Sequence, residues 1–161
     1  MGLFGINMKK IGVTYGDVCC TLAVYAANNK DEYGLNECSS SRLALFSFSI
    51  TRALSYWSIH KRFGEDKADA IYQLMKPVIV AGLSKIGFNK AEKIESLSDG
   101  AAQLHILDLV SDGITQEILI SMSKDFAYGV YGHEVYDAEE NLFFFALICE
   151  FLKVISSIKT N

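Results

Sequence analysis

The sequence has little proline and few cysteines. Pro77 is the single proline among 161 residues, whereas a turn-rich all-β sandwich would normally use more. The four cysteines contain no CxxC pair, so neither a zinc knuckle nor a thioredoxin-like redox site is predicted. Cys19, Cys20, Cys38 and Cys149 instead fit small apolar thiols that stay reduced inside a cell.

The chain also lacks a long apolar run. Its longest uncharged stretch, residues 18–29, has twelve residues, fewer than the roughly 18 that a membrane-spanning helix needs. No apolar segment near the N-terminus precedes a small-residue cleavage site, so no secretory signal is predicted. Gly2 begins a weak N-myristoylation pattern, but Ile6 stands where Ser or Thr is required. We therefore predict a cytoplasmic protein that does not contact a membrane.

The signature motifs of common enzymes are missing as well. The sequence contains no GxSxG, HExxH, P-loop or GxGxxG pattern, so it carries no signature of a serine hydrolase, a zinc protease or a nucleotide-binding enzyme. We accordingly predict a protein that is not an enzyme and that needs no cofactor.

What the sequence does have is enough apolar material for a core. Hydrophobic residues make up 50% of the chain and charged residues 21%, which is typical of a globular domain. The apolar positions recur at spacings of three and four residues, as in amphipathic helices. We predict an all-α, single-domain bundle of six or seven helices over residues 1–161. Residues 1–16 form an arm or short strand in this prediction, and residues 17–158 form the helical core, with Asp17 as the first N-cap.

Two predicted helical regions bear on function. A long apolar helix begins at Ser39, Ser40 or Ser41 and ends near Arg62. Arg52 lies inside it, and its guanidinium either reaches water, pairs with an acidic group of the C-terminal half, or binds an anion. Further on, residues 90–98 and 101–111 are predicted as two helices divided at Asp99-Gly100. Their inward-facing residues are predicted to be Ile94, Leu97, Leu104, Leu107 and Val110.

Charge is divided unevenly along the chain. The net charge is −4, but residues 1–93 carry +4 and residues 94–161 carry −8. An acidic half of this kind can steer a cationic protein, and it disfavours direct binding of nucleic acid. The alternative is that the two halves neutralise each other within the fold.

Tyrosines and glycines cluster beside these acidic residues. Residues 128–136 are predicted to form a loop, and tyrosine offers a large contact area with a polar tip. We predict a partner-binding surface composed of Glu95, Asp99, Asp108, Asp112, Glu117, Tyr128, Tyr131, His133, Glu134, Tyr136 and Asp137.

Three classes of function are compatible with these features. The leading hypothesis is a non-enzymatic protein-binding module, such as an acidic immunity or antitoxin-type inhibitor that occludes a cationic toxin nuclease. The second is a carrier of a small molecule or acyl chain, with a pocket lined by Phe46, Phe48, Trp57 and residues 143–145. The third is a metal-dependent enzyme, because His105, Asp108 and Asp112 share one helical face.

Overall fold

A computed structural model describes residues 6–160 of the chain. These residues form six α-helices, a short 3-10 helix at Lys30–Tyr33 and no strand. The predicted all-helical bundle is therefore confirmed. The helices are α1 (Met8–Asn28), α2 (Ser40–Phe63), α3 (Glu65–Lys85), α4 (Ala91–Asp112), α5 (Gln116–Tyr131) and α6 (Ala138–Ser156).

Helix α2 lies at the centre and contacts the other five helices. Small hydroxyl side chains allow this close packing. Ser47 and Thr51 donate to carbonyls of their own helix, four residues earlier, so their buried hydroxyls are satisfied. Ser58 forms a hydrogen bond of 2.9 Å with the buried Tyr15 hydroxyl of α1. The core can thus hold polar atoms of α2 without leaving them unpaired.

The N-terminal prediction is wrong for residues 8–16. Helix α1 begins at Met8, and Asn7 rather than Asp17 is its N-cap, with its side chain accepting from the Lys10 N–H at 3.0 Å. The glycines at 12 and 16 suggested an irregular segment, but both are buried where α1 meets α3. Close helix packing selects glycine there, against its low helix propensity. Residues 1–5 of the predicted arm, including Gly2, lie outside the described residues.

The region around Gly100 is also different from the prediction. One continuous helix, α4, replaces the two predicted helices, and Gly100 lies in its interior. Its inward face consists of Ala91, Glu95, Ser98, Ala102, His105, Ile106 and Leu109. The predicted inward residues Leu97, Leu104, Leu107 and Val110 are exposed, and Ile94 is only partly buried.

A buried ion cluster explains why α4 is rotated in this way. Arg52 of α2 is only 2% exposed, and its Nη1 lies 2.7 Å from Glu95 Oε1 of α4. Its Nη2 lies 3.3 Å from Asp99 Oδ1, and its Nε donates to the Tyr72 hydroxyl of α3 at 3.2 Å. A buried guanidinium without a carboxylate would be strongly unfavourable, so α4 must turn Glu95 inward. Of the alternatives for Arg52, pairing with the acidic C-terminal half is the correct one.

The first prediction concerns glycine packing. A Cβ at position 12 would lie 2.7 Å from the Leu74 Cβ and 3.0 Å from the Ile71 carbonyl oxygen of α3. Gly12→Ala should therefore lower the free energy of unfolding by about 1–3 kcal/mol. The matched control is Gly100→Ala, in the interior of α4, where no atom lies within 4 Å of the new Cβ. This variant should raise the free energy of unfolding by about 0.5–1 kcal/mol. Urea unfolding followed by circular dichroism measures both, and equal effects would contradict the packing argument.

The second prediction concerns the ion cluster. Glu95→Gln keeps the shape of the side chain but leaves the Arg52 charge without its closest carboxylate, and should cost about 3–5 kcal/mol of unfolding free energy. The control is Lys76→Gln. Lys76 Nζ lies 3.6 Å from Glu95 Oε2, but the Lys76 side chain is half-exposed, so this variant should lose less than about 1 kcal/mol of unfolding free energy. Similar losses in the two variants, in the same urea titration, would show that Arg52 does not depend on Glu95.

Candidate partner-binding surface

The outward face of α5 connects three neighbouring grooves. The tyrosine groove, of about 380 Å³, is lined by Lys124, Asp125, Tyr128, Glu134, Val135 and Tyr136. The α6 groove, of about 390 Å³, shares Lys124 and Tyr136 with it and continues between α5 and α6. The α4 groove, of about 320 Å³, shares Asp125 and Tyr128 with it and continues toward α2 and α4. Together they form a continuous irregular surface across α5.

The tyrosine groove brings together three of the predicted partner-binding residues. Tyr128 is 54% exposed on α5, and Tyr136 is 87% exposed in the loop that follows. The Tyr136 hydroxyl donates to the Glu134 carboxylate, and this hydrogen bond raises the pKa of Tyr136. The groove therefore presents two phenol rings beside a carboxylate.

The loop over residues 132–137 is held at both ends. Gly132 adopts a left-handed conformation (φ 78°) that ends α5, and its N–H donates to the Tyr128 carbonyl at 2.7 Å. Asp137 is the N-cap of α6, and its carboxylate accepts from the backbone N–H groups of Glu139 and Glu140. Asn141 Nδ2 donates to the Val135 carbonyl at 2.8 Å. The exposed tyrosine thus projects from an anchored turn.

Tyr131 and His133, two other predicted contact residues, differ in their surroundings. Tyr131 is half-buried, and its ring packs edge-on against Phe144 with centroids 5.9 Å apart. It supports the core side of the loop and is not an exposed anchor. His133 is exposed, and its Nδ1 lies 2.9 Å from the Glu134 carbonyl oxygen. That contact keeps the imidazole against the loop backbone.

The predicted acidic surface is only partly formed. Glu95 is 1% exposed, and Asp99 is half-buried, because both pair with Arg52. The inclusion of Glu95 among the surface residues was therefore wrong, whereas Asp99 keeps 35% of its side chain exposed. The exposed acids Asp108 and Asp112 lie on α4, and Glu117 lies in the first turn of α5. Asp112 also lines a groove with His60, Lys61 and Trp57, so its surroundings are mixed in charge.

His105 is buried between α4 and α5, and its Nε2 lies 3.7 Å from Asp125 Oδ2. Burial lowers the pKa of His105, while Asp125 and then Asp108 act in the opposite direction. The carboxylate that contacts the imidazole is thus Asp125 of α5, which is not a member of the predicted ligand set. Among residues 6–160, no group of three His, Cys, Asp or Glu side chains is placed to hold a metal ion. The predicted metal constellation of His105, Asp108 and Asp112 is thus not assembled.

The aromatic residues of the proposed carrier pocket are dispersed. Phe48 and Phe144 are fully buried in the core. Phe46, Trp57 and Phe145 line three different grooves. Phe143 is partly buried against the core. Ordinary core packing accounts for the buried members, and none of these three grooves contains more than one of Phe46, Trp57 and Phe145.

Several residues of this surface were not predicted from the sequence. Ile120 and Lys124 precede the predicted Tyr128 at intervals of four residues on α5, opposite the buried Met122 and Phe126. That spacing was available in the sequence and would have predicted one outward face. Other lining residues come from distant segments and had no local signal, namely Arg42, Asn141, Leu142 and Phe145.

Comparison with known proteins adds no functional assignment. No family model, no curated protein and no solved structure matches this chain. Within residues 6–160, none of the helices combines the length and apolar character needed to cross a bilayer. The grooves, exposed side chains and charges described above are therefore the basis for a functional proposal.

The third prediction concerns pH. Burial lowers the pKa of His105 in the folded protein below the value of about 6.5 that it has in the unfolded chain. Just below pH 6.5, the imidazole is therefore protonated in the unfolded chain and still neutral in the folded protein. The unfolded state then binds more protons, so stability falls as pH drops below about 6.5. His105→Gln removes this contribution, and its unfolding free energy should decline less than that of the wild type between pH 7 and 5. Urea titrations across that range measure it, with His133→Gln, at an exposed histidine, as the matched control. Parallel declines in wild type and His105→Gln would contradict the prediction.

Proposed function

We propose that this chain is a non-enzymatic protein-binding module that holds a cationic partner protein in the tyrosine groove. The observation that carries the proposal is the exposure of Tyr128 and Tyr136 in one groove, at 54% and 87%. Large aromatic rings are usually at least partly covered in a folded protein, and tyrosines that remain open are enriched in protein interfaces. An anchored turn presents Tyr136 with little loss of conformational entropy on binding.

The charge around the groove supports a cationic partner. Asp125 and Glu134 line it, and Glu139 and Glu140 follow closely in the first turn of α6. Among residues 6–160, Lys124 is the only base that lines it. Acidic rims of this kind accelerate association with positive surfaces, while the aromatic anchors slow dissociation.

The α6 groove extends the contact with apolar area. Leu142 is exposed on α6 and Ile120 on α5, and both line this groove beside Tyr136. An apolar side chain of the partner would fill it and be released from water. This gives the surface the composition of a binding site with an apolar centre and a charged rim.

The narrower form of the proposal is an acidic inhibitor of the immunity or antitoxin type. A toxin nuclease must be cationic to bind phosphate groups, and residues 94–161 of this chain carry a net charge of −8. Occlusion of such an enzyme needs surface complementarity and no catalytic group. This form rests on the analogy in charge.

The fourth prediction tests the groove. A partner is captured from the source cell with the wild-type chain and then purified for binding measurements. Tyr136→Ala should weaken its binding by about 30-fold or more, mostly through faster dissociation, as expected for a central aromatic anchor. Tyr128→Ala should act in the same direction.

The control is Tyr25→Ala, which removes an exposed tyrosine of α1, far along the chain from the groove. It should leave affinity unchanged. Glu134→Lys should slow association and weaken the dependence of the association rate on salt. Binding that is indifferent to both groove tyrosines, or a partner whose contact surface is acidic, would overturn the proposal.

A further inference from the structure

The outward face of α4 carries a row of exposed leucines. Leu97, Leu104 and Leu107 are 64%, 70% and 72% exposed, although each was expected in the core. The opposite face of the same helix holds Glu95 against Arg52, so α4 cannot rotate to bury the row without breaking that ion pair. Exposed apolar rows of this kind mark association surfaces in soluble proteins.

The row has the spacing of a helix-pairing seam. Intervals of four and three residues alternate along it, as in the a and d positions of a heptad. Its members are Lys93, Leu97, Gly100, Leu104, Leu107 and Ser111. From Leu97 to Ser111, a second helix packed on α4 would therefore meet apolar or small side chains along about four helical turns.

The charges at the two ends of the row indicate which helix packs there. Lys93 lies at the N-terminal end, and Asp108 and Asp112 lie at the C-terminal end. All three are exposed, and none has an ion-pair partner within residues 6–160. The row therefore has a basic side chain at its N-terminal end and acidic side chains beside its C-terminal end.

An antiparallel copy of α4 matches this pattern. When two copies run in opposite directions and cross midway between Gly100 and Leu104, Leu97 of one copy meets Leu107 of the other. Gly100 then faces Leu104, and the absent side chain leaves room for it. Lys93 comes opposite Ser111, beside the Asp108 and Asp112 of the second copy. A parallel copy would instead place Lys93 against Lys93 and Asp108 against Asp108.

We propose that the chain forms an antiparallel homodimer in which the leucine row of α4 packs on the same row of a second copy. The twofold symmetry makes each contact occur twice, so one Lys93–Asp108 attraction becomes two. The proposal is independent of the partner protein proposed above, because it uses the α4 row and not the tyrosine groove.

The first test is the mass of the full chain in solution. Sedimentation velocity and light scattering at concentrations up to about 1 mM, the range that detects even weak dimers, should show a species of twice 17.8 kDa. Leu104→Glu should raise the dissociation constant by about 100-fold or more, with an unchanged helical spectrum. Leu142→Glu, at a comparably exposed leucine of α6, is the matched control and should dimerise as the wild type does. A wild-type monomer at every concentration, or equal loss in both variants, would overturn the proposal.

The second test determines the orientation of the two copies. Lys93→Asp alone and Asp108→Lys alone should each weaken the dimer by about 10-fold, because each places like charges together across the antiparallel interface. The double variant should return to within about threefold of the wild type. Single variants that dimerise as well as the wild type would indicate a different arrangement of the two copies and overturn the antiparallel assignment.

Discussion

The packing of the helices in this protein depends on a guanidinium buried on its central helix, α2. Arg52 lies in α2 at 2% exposure, and its charge is tolerable only if carboxylates come to it. Glu95 and Asp99, one helical turn apart on α4, supply them, and Tyr72 of α3 bridges Arg52 and Asp99. One ionic cluster therefore sets the mutual placement of three helices, which apolar contacts alone would leave free to slide or rotate.

The pairing of Glu95 with Arg52 leaves apolar side chains exposed on the opposite side of α4. That helix has two apolar stripes, one with Ala102, Ile106 and Leu109, and one with Leu97, Leu104 and Leu107. Hydrophobicity alone would bury the leucine stripe, since its side chains are larger. Pairing with Arg52 selects the other stripe, so the exposure of the leucine stripe follows from a buried charge.

The difference between local patterns and contacts with distant segments explains which features could be predicted from the sequence. The helical class, the Ser39 and Asp137 caps and the grouping of Tyr128 with Tyr136 follow from patterns within a few residues. The rotation of α4 depends on Arg52, 43 positions before Glu95. The glycines at positions 12 and 16 of α1 are explained by the close approach of α3. Local periodicity contains no information about such partners, so Glu95 was assigned to the surface and the leucines to the core.

The two proposed surfaces meet in the α4 groove. The α4 groove is lined by Leu104 of the leucine row and by Asp125 and Tyr128, which also line the tyrosine groove. The buried His105 lines it as well and contacts Asp125. In the proposed dimer, a second copy that covers Leu104 would close one wall of this groove and alter the solvent around Tyr128 and Asp125. Any resulting change in affinity for a partner must be matched by an equal change in affinity between the two copies, because coupling free energies are reciprocal. The proposed dimer and the proposed partner complex would therefore be thermodynamically coupled through the α4 groove, on a helix whose rotation is set by Arg52.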